Sequence, residues 1–212
     1  DQSSGLMLAS AIGDTGTIDA LLAASADVNL TRNHGITALM LAARGGHRDA
    51  AARMCEAGAL AAVKNGEGLT ALLLATDAAT IAALLKAAPD VRAALDATDE
   101  DGSTALMFAS GRGDESTVAA LLNAGAAVNA TNSRGWTALM FGCQGYSSET
   151  VDALLNGGGA VDATCSDGVS SLLIASANGN AAAVTSLLRH HAHVEQADAD
   201  GRRSLMLAVR AG

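Results

Sequence analysis

With 212 residues and a formal charge of −9 at pH 7, the chain lacks the clustered cations that neutralise phosphates, so nonspecific nucleic-acid binding is excluded. Apolar residues make up 50% of it and charged ones 17%, yet polar residues or glycines break every apolar run before the roughly 20 residues that cross a bilayer. Cys55, Cys143 and Cys165 are odd in number and far apart, giving neither a disulfide framework nor a metal-site spacing, and they point to a reducing, cytoplasmic compartment.

From the N-terminus onward, one pattern returns. Ser4 precedes Leu6-Met7-Leu8-Ala9, a short apolar helix, and Ile18, Leu21 and Leu22 follow at the i, i+3, i+4 spacing of a second helix face. Gly35 then opens Thr37-Ala38-Leu39-Met40-Leu41-Ala42-Ala43, with Ala51, Met54 and Cys55 in the second helix. Gly68 opens Thr70 to Thr76, followed by Ile81, Leu84 and Leu85. Gly102 opens Thr104 to Ser110 before Val118, Leu121 and Leu122, and Gly135 opens Thr137 to Cys143 before Val151, Leu154 and Leu155. A weaker copy runs from Gly168 with Val184, Leu187 and Leu188, and a last first helix runs from Gly201 to Val209. Successive glycines stand 33, 34, 33, 33 and 33 residues apart, which defines units of about 1–33, 34–66, 67–100, 101–133, 134–166 and 167–199 and a partial 200–212.

Local chemistry fits this reading. Ser4, Thr37, Thr70, Thr104, Thr137, Ser170 and Ser204 stand where a hydroxyl caps the first helix. Gly58, Gly125 and Gly158 follow the second helix, where a left-handed residue is wanted; Ser25 and His191 hold that place elsewhere and should be strained there. Asp101-Gly102, Asp167-Gly168 and Asp200-Gly201 are tight-turn dipeptides. The third unit is irregular: it has lost three residues between its helices and gained four after them, around Pro89, the one proline. A shortened turn at Thr76–Thr80 and a bulged loop at Pro89–Ala94 follow.

The unit resembles the ankyrin repeat over essentially the whole chain: a turn glycine, a Thr-x-Leu helix opening, a Val-x-x-Leu-Leu second helix and Gly-Ala. The family's proline is replaced by Ala38, Ala71, Ala105 and Ala138, and its histidine by Met or Leu, as at Met40 and Met107. The resemblance implies an all-α ankyrin-repeat solenoid of helix pairs joined by β-hairpin-like turns, six pairs plus the first helix of a seventh. It also implies a non-enzymatic scaffold that binds another protein through the turn tips and first helices of a concave face. Two other readings stay open: a segment serving an enzyme or ion channel whose active domain lies elsewhere, or a structural element of a large assembly. Asp1 stands just before a first helix and Gly212 just before a second would begin, so the chain is expected to belong to a longer array or assembly.

By register, the tips are Thr31–His34, Lys64–Glu67, Asp99–Asp101, Thr131–Arg134, Thr164–Asp167 and Ala197–Asp200. Asp99, Glu100, Asp101, Asp167, Asp198 and Asp200 would steer a basic partner, or serve only turn chemistry and solubility. All the aromatics lie between 108 and 146. Phe108 and Phe141 take the register of Leu41 and Leu74 and read as core. Trp136 fills a slot held elsewhere by Ile36, Leu69, Ser103, Val169 and Arg202, so it is expected to be at least half exposed. With Arg134 and Tyr146 it is the favoured contact cluster, against a role in packing between units.

No cofactor or metal is expected. His190, His191 and His193 lack a carboxylate or cysteine at zinc spacing, and Asp198-Ala-Asp200-Gly201 lacks the bidentate Glu of a calcium loop. Gly157-Gly-Gly159 precedes no phosphate-binding helix, and no nucleophile with a placed base is evident. The Leu21, Asp27, Val28, Asn29 context resembles one in which ankyrin repeats are asparagine-hydroxylated, although Asn29 is more simply a bridge within the turn.

Overall fold

A computed structural model describes residues 3–145 and 147–211, the last three as backbone only. The chain divides into two compact units, Asp1–Glu100 and Asp101–Gly212.

In the first unit, α1 (Gly5–Ile12), α3 (Ala38–Arg44) and α5 (Ala71–Leu74) pack side by side, and so do α2 (Thr15–Ala23), α4 (Arg48–Glu56) and α6 (Ala78–Ala87). Each first helix packs on the second helix that follows it. A two-residue hairpin, β1 (Thr31–Arg32) with β2 (Ile36–Thr37), pairs Thr31 with Thr37 and Arg32 with Ile36. One more helix, α7 (Val91–Leu95), follows α6. In the second unit, α8 (Ala105–Arg112), α10 (Ala138–Gln144), α12 (Ser171–Ala177) and α14 (Ser204–Ala211) form the first-helix row, and α9 (Glu115–Asn123), α11 (Ser148–Asn156) and α13 (Ala181–Arg189) the second.

These segments are helical because each is capped and each has an apolar face to bury. Hydroxyls of Ser4, Thr37, Thr70, Thr104, Thr137 and Ser170 accept from the backbone N–H three residues on, satisfying a donor the helix cannot. α14 departs from this by starting on Ser204 itself. The second helices carry their own caps, from Asp14, Asp77, Asp114, Ser147 and Asn180, and only α4 has none. Leu39 and Met40, Leu106 and Met107, Leu139 and Met140 are each 0–1% exposed, as are Val118, Leu121, Val151, Leu154 and Leu187. Each large aliphatic side chain buried this way contributes about 1.5–3 kcal/mol, enough to hold helices too short to stand alone in water. Ser25 and His191 adopt the left-handed backbone their register demands, at φ 63° and 65°.

The third register differs from expectation. Its three missing residues come out of the first helix and not, as expected, out of a shortened turn at Thr76–Thr80. α5 has four residues against seven in α3, while Ala75–Asp77 is as long as the turn between α3 and α4, and Asp77 caps α6 by accepting from Thr80 N–H at 2.9 Å. The segment expected to bulge as a loop at Pro89–Ala94 is instead the helix α7. Asp90 caps it, accepting from Ala93 N–H at 3.0 Å, and Leu95 pins it at 3% exposure.

Turn glycines are needed twice over. Gly135 sits at φ +73°, and a Cβ there would lie 3.1 Å from Ser166 N and 3.2 Å from Cys165 Cα. Gly125, at φ +91°, has nothing within 4 Å of its missing Cβ. Gly125→Ala should therefore cost only the left-handed backbone, about 1–2 kcal/mol. Gly135→Ala should lose about 1–3 kcal/mol more through overpacking. Urea unfolding of the two variants reads the difference.

Candidate functional site

The tips are built on one register position. Asn132 Oδ1 accepts from the N–H of Arg134 and of Trp136, both at 3.0 Å, and Asn65 Oδ1 does the same for Glu67 and Leu69 at 2.9 Å. Asp198 Oδ1 takes Asp200 and Arg202 N–H at 3.0 and 2.8 Å. A side-chain oxygen here folds the tip by itself. In the second unit neighbouring tips then bond through backbone: Ser133 N–H to Asp101 C=O at 2.8 Å, Ser166 to Arg134 at 3.0 Å and Ala199 to Asp167 at 3.0 Å. In the first unit Gly66 N–H donates to His34 C=O at 2.7 Å.

That ladder places one side chain per tip at equal intervals in the second unit: Asp101, Arg134, Asp167 and Asp200, all exposed. Asp101 and Asp167 have no ion-pair partner among the described residues, whereas Asp200 lies 3.1 Å from Arg202. In the first unit Glu100 is exposed and Asp99 half-buried, in the register of Asn65. Asp198 corrects the expectation of an acidic contact. It is 8% exposed, with Oδ2 2.7 Å from Arg202 Nε, so its charge is spent inside the turn. Burial pushes its carboxyl up, but the Arg202 backbone N–H, the Arg202 guanidinium and the Asp200 N–H together hold it below the usual carboxylate value.

Trp136 is more covered than its slot suggested. It is half-buried, with its ring 5.3 Å from that of Phe141 at 56°, and the Arg134 guanidinium carbon lies 5.4 Å above the indole. Phe141 and Phe108 are not core residues, as expected from sequence, but half-buried on the first-helix row. Each follows a fully buried Met107 or Met140, and consecutive helical residues point about 100° apart, so a step past the core is a step toward the surface. The Tyr146 expectation falls outside the described residues.

Other chemistry is sparse. Burial pushes the Cys143 thiol up to about 12 and raises that of Cys55, so both stay protonated at neutral pH. Among the described residues no three His, Cys, Asp or Glu side chains converge as metal ligands, and no helix is long and apolar enough to cross a membrane. Asn29 bridges loops, its amide donating to Gly58 C=O at 3.1 Å and accepting from Leu60 N–H at 2.9 Å, and Asn129 repeats this with Gly158 and Ala160.

Asn132 is 5% exposed, so Asn132→Ala leaves two tip N–H groups unpaired and should lower stability by about 1–3 kcal/mol. Asn132→Asp, which keeps the oxygen that accepts both bonds and loses only the Nδ2 donation to Ser103 Oγ, should lose less; equal losses in urea unfolding would contradict this role.

Three overlapping matches to a family model of ankyrin repeats cover residues 6–94, 77–165 and 143–212. Among solved structures, the ankyrin repeat domain of human ASB11 superposes with a TM-score of 0.87 at 24% identity, over 97% of this chain and 92% of that one. The ankyrin repeat domain of Bcl-3, described as a unique member of the IkappaB family, gives 0.81 at 27% identity over 98% and 95%. An ankyrin repeat domain from Acinetobacter baumannii gives 0.74 at 29% identity over 89% and 98%. No curated protein sequence matches the chain. With the helix pairs, stacked tips and register in agreement with the family model, the chain belongs to the ankyrin repeat family.

Proposed function

We propose that this chain is a protein-binding scaffold whose contact surface in the second unit is formed by the turn tips and the adjoining first helices. Ankyrin repeats generally mediate protein–protein interactions, and such domains are typically binding modules rather than enzymes. The observation that carries the reading is the cluster at Trp136. A half-buried indole packs against Phe141 and under the guanidinium of the exposed Arg134, among tips that fix their backbone. Trp and Arg are the residue types most enriched among binding hot spots, and an anchor already held in place has less side-chain entropy to lose on docking.

Asp101 and Asp167 flank Arg134 on the neighbouring tips, which together with the net charge of −9 supports a partner with a basic surface. Asp198 lies in a turn interior, so the acidic contact in the second unit is Asp101, Asp167 and Asp200, with Asp99 and Glu100 the candidates in the first unit. Three free thiols, two of them buried, support a reducing, cytoplasmic location.

Affinity capture followed by titration of the captured partner tests this. Trp136→Ala should weaken binding by about 30-fold, the effect of a 2 kcal/mol hot spot. Joint replacement of Asp101 and Asp167 by Asn should slow association mainly at low salt, where charges steer the encounter. An unchanged dissociation constant for Trp136→Ala, with its fold intact, would refute the assignment.

A further inference from the structure

The third register leaves a cavity in the first unit. It encloses about 340 Å³ beneath α7, open on one side, and its walls are almost wholly apolar: Leu72 from α5, Leu84 and Leu85 from α6, and Ala93 from α7. Two departures from the repeat create it. The four-residue gain carries α7 away from the neighbouring loop, and Ala61 stands on the opposite wall where the other units place Val28, Leu95, Val128, Val161 and Val194. Ala61 is thus smaller than the Val or Leu of that register, of which Val28 and Leu95 are buried and Val194 is exposed. Apolar pockets of roughly 300–1,000 Å³ with a few placed polar groups are the usual form of a small-molecule site, and this one is at the small end.

One cation stands on its rim. Lys64 Nζ donates to the Thr98 carbonyl at 2.6 Å, which fixes the ammonium beside the opening and leaves two of its three donors. No carboxylate lies within ion-pair distance of it among the described residues; Asp90 also lines the cavity and caps α7 through Oδ1, which accepts from Ala93 N–H. An apolar chamber with an ammonium at its mouth matches a molecule with a hydrocarbon tail and an anionic head.

We propose that this cavity binds a medium-chain aliphatic carboxylate, its tail among Leu72, Leu84, Leu85 and Ala93 and its carboxylate at Lys64. This site lies in the first unit and does not depend on the protein-binding surface of the second. Small residues line both walls, Ala61 and Ala62 from the second repeat and Ala93, Ala94 and Ala97 from the third.

The test is titration of the full chain, labelled at alanine methyls, with hexanoate, octanoate and octanol by NMR. Saturable shifts at Ala61, Ala93 and Ala97 are expected with octanoate, with affinity rising by up to about fourfold per added methylene. Octanol should bind about fivefold more weakly, as the loss of an exposed ion pair allows. Lys64→Met should erase that preference and leave octanol binding unchanged. Ala61→Leu, which fills the chamber from a position other units give to Val or Leu, should abolish the shifts while keeping the thermal midpoint. Should that variant fail to fold, the chain-length series and Lys64→Met still decide. Absence of saturable shifts with octanoate, equal affinity for octanol, or shifts produced only by an uncharged apolar peptide would overturn the proposal.

Discussion

The architecture depends on the backbone bond from one turn tip to the next. Ser166 N–H can reach Arg134 C=O only because Gly135, beside that carbonyl, has no Cβ and accepts a left-handed φ. The contact sets the distance between neighbouring tips, and the helices behind them must then arrive in step. First-helix and second-helix rows both advance by one helix for each tip. Side chains at the tips are free to vary, since the bonds that hold the ladder are carried by backbone and by the Asn or Asp oxygen inside each turn.

That division of labour explains what function this fold can host. Rigid tips present Asp101, Arg134 and Asp167 at fixed intervals without spending their side chains on structure, while Trp136 sits just behind, packed on Phe141. The turn interior keeps its own polar group, Asn132 in one tip and Asp198 in another. On the proposed reading such a surface would bind through its variable residues, while stability resides elsewhere, in Leu-Met and Val-Leu pairs that are almost wholly buried. The two demands scarcely compete.

Much of this was readable in the sequence, for physical reasons. Period, capping hydroxyls and the left-handed residues Ser25 and His191 are local or arithmetic signals, so they transfer directly to structure. The direction of Phe108 and Phe141 did not, because a short apolar run on a helix seven or eight residues long does not say which side chain faces outward. Asp198 reads as an acidic surface residue until its turn geometry shows the carboxylate folded inward against Arg202. In the third register, residue counting located the gain but not its conformation; the Asp90 cap and the Leu95 anchor turn an apparent loop into α7. The caps of the second helices were missed as well, though Asp14, Asp77 and Asp114 each stand three residues before a Thr whose N–H they accept.

Native-state hydrogen exchange tests the central claim most directly, by following the amides of Ser133, Ser166 and Ala199 in the free protein. If tip-to-tip bonding governs the register, these exposed-loop amides exchange as slowly as the core amides of α10 and α12 and open together with them. Exchange at the rate of an unprotected loop, while α10 and α12 stay protected, would show that helix packing alone sets the repeat and that the tips merely follow.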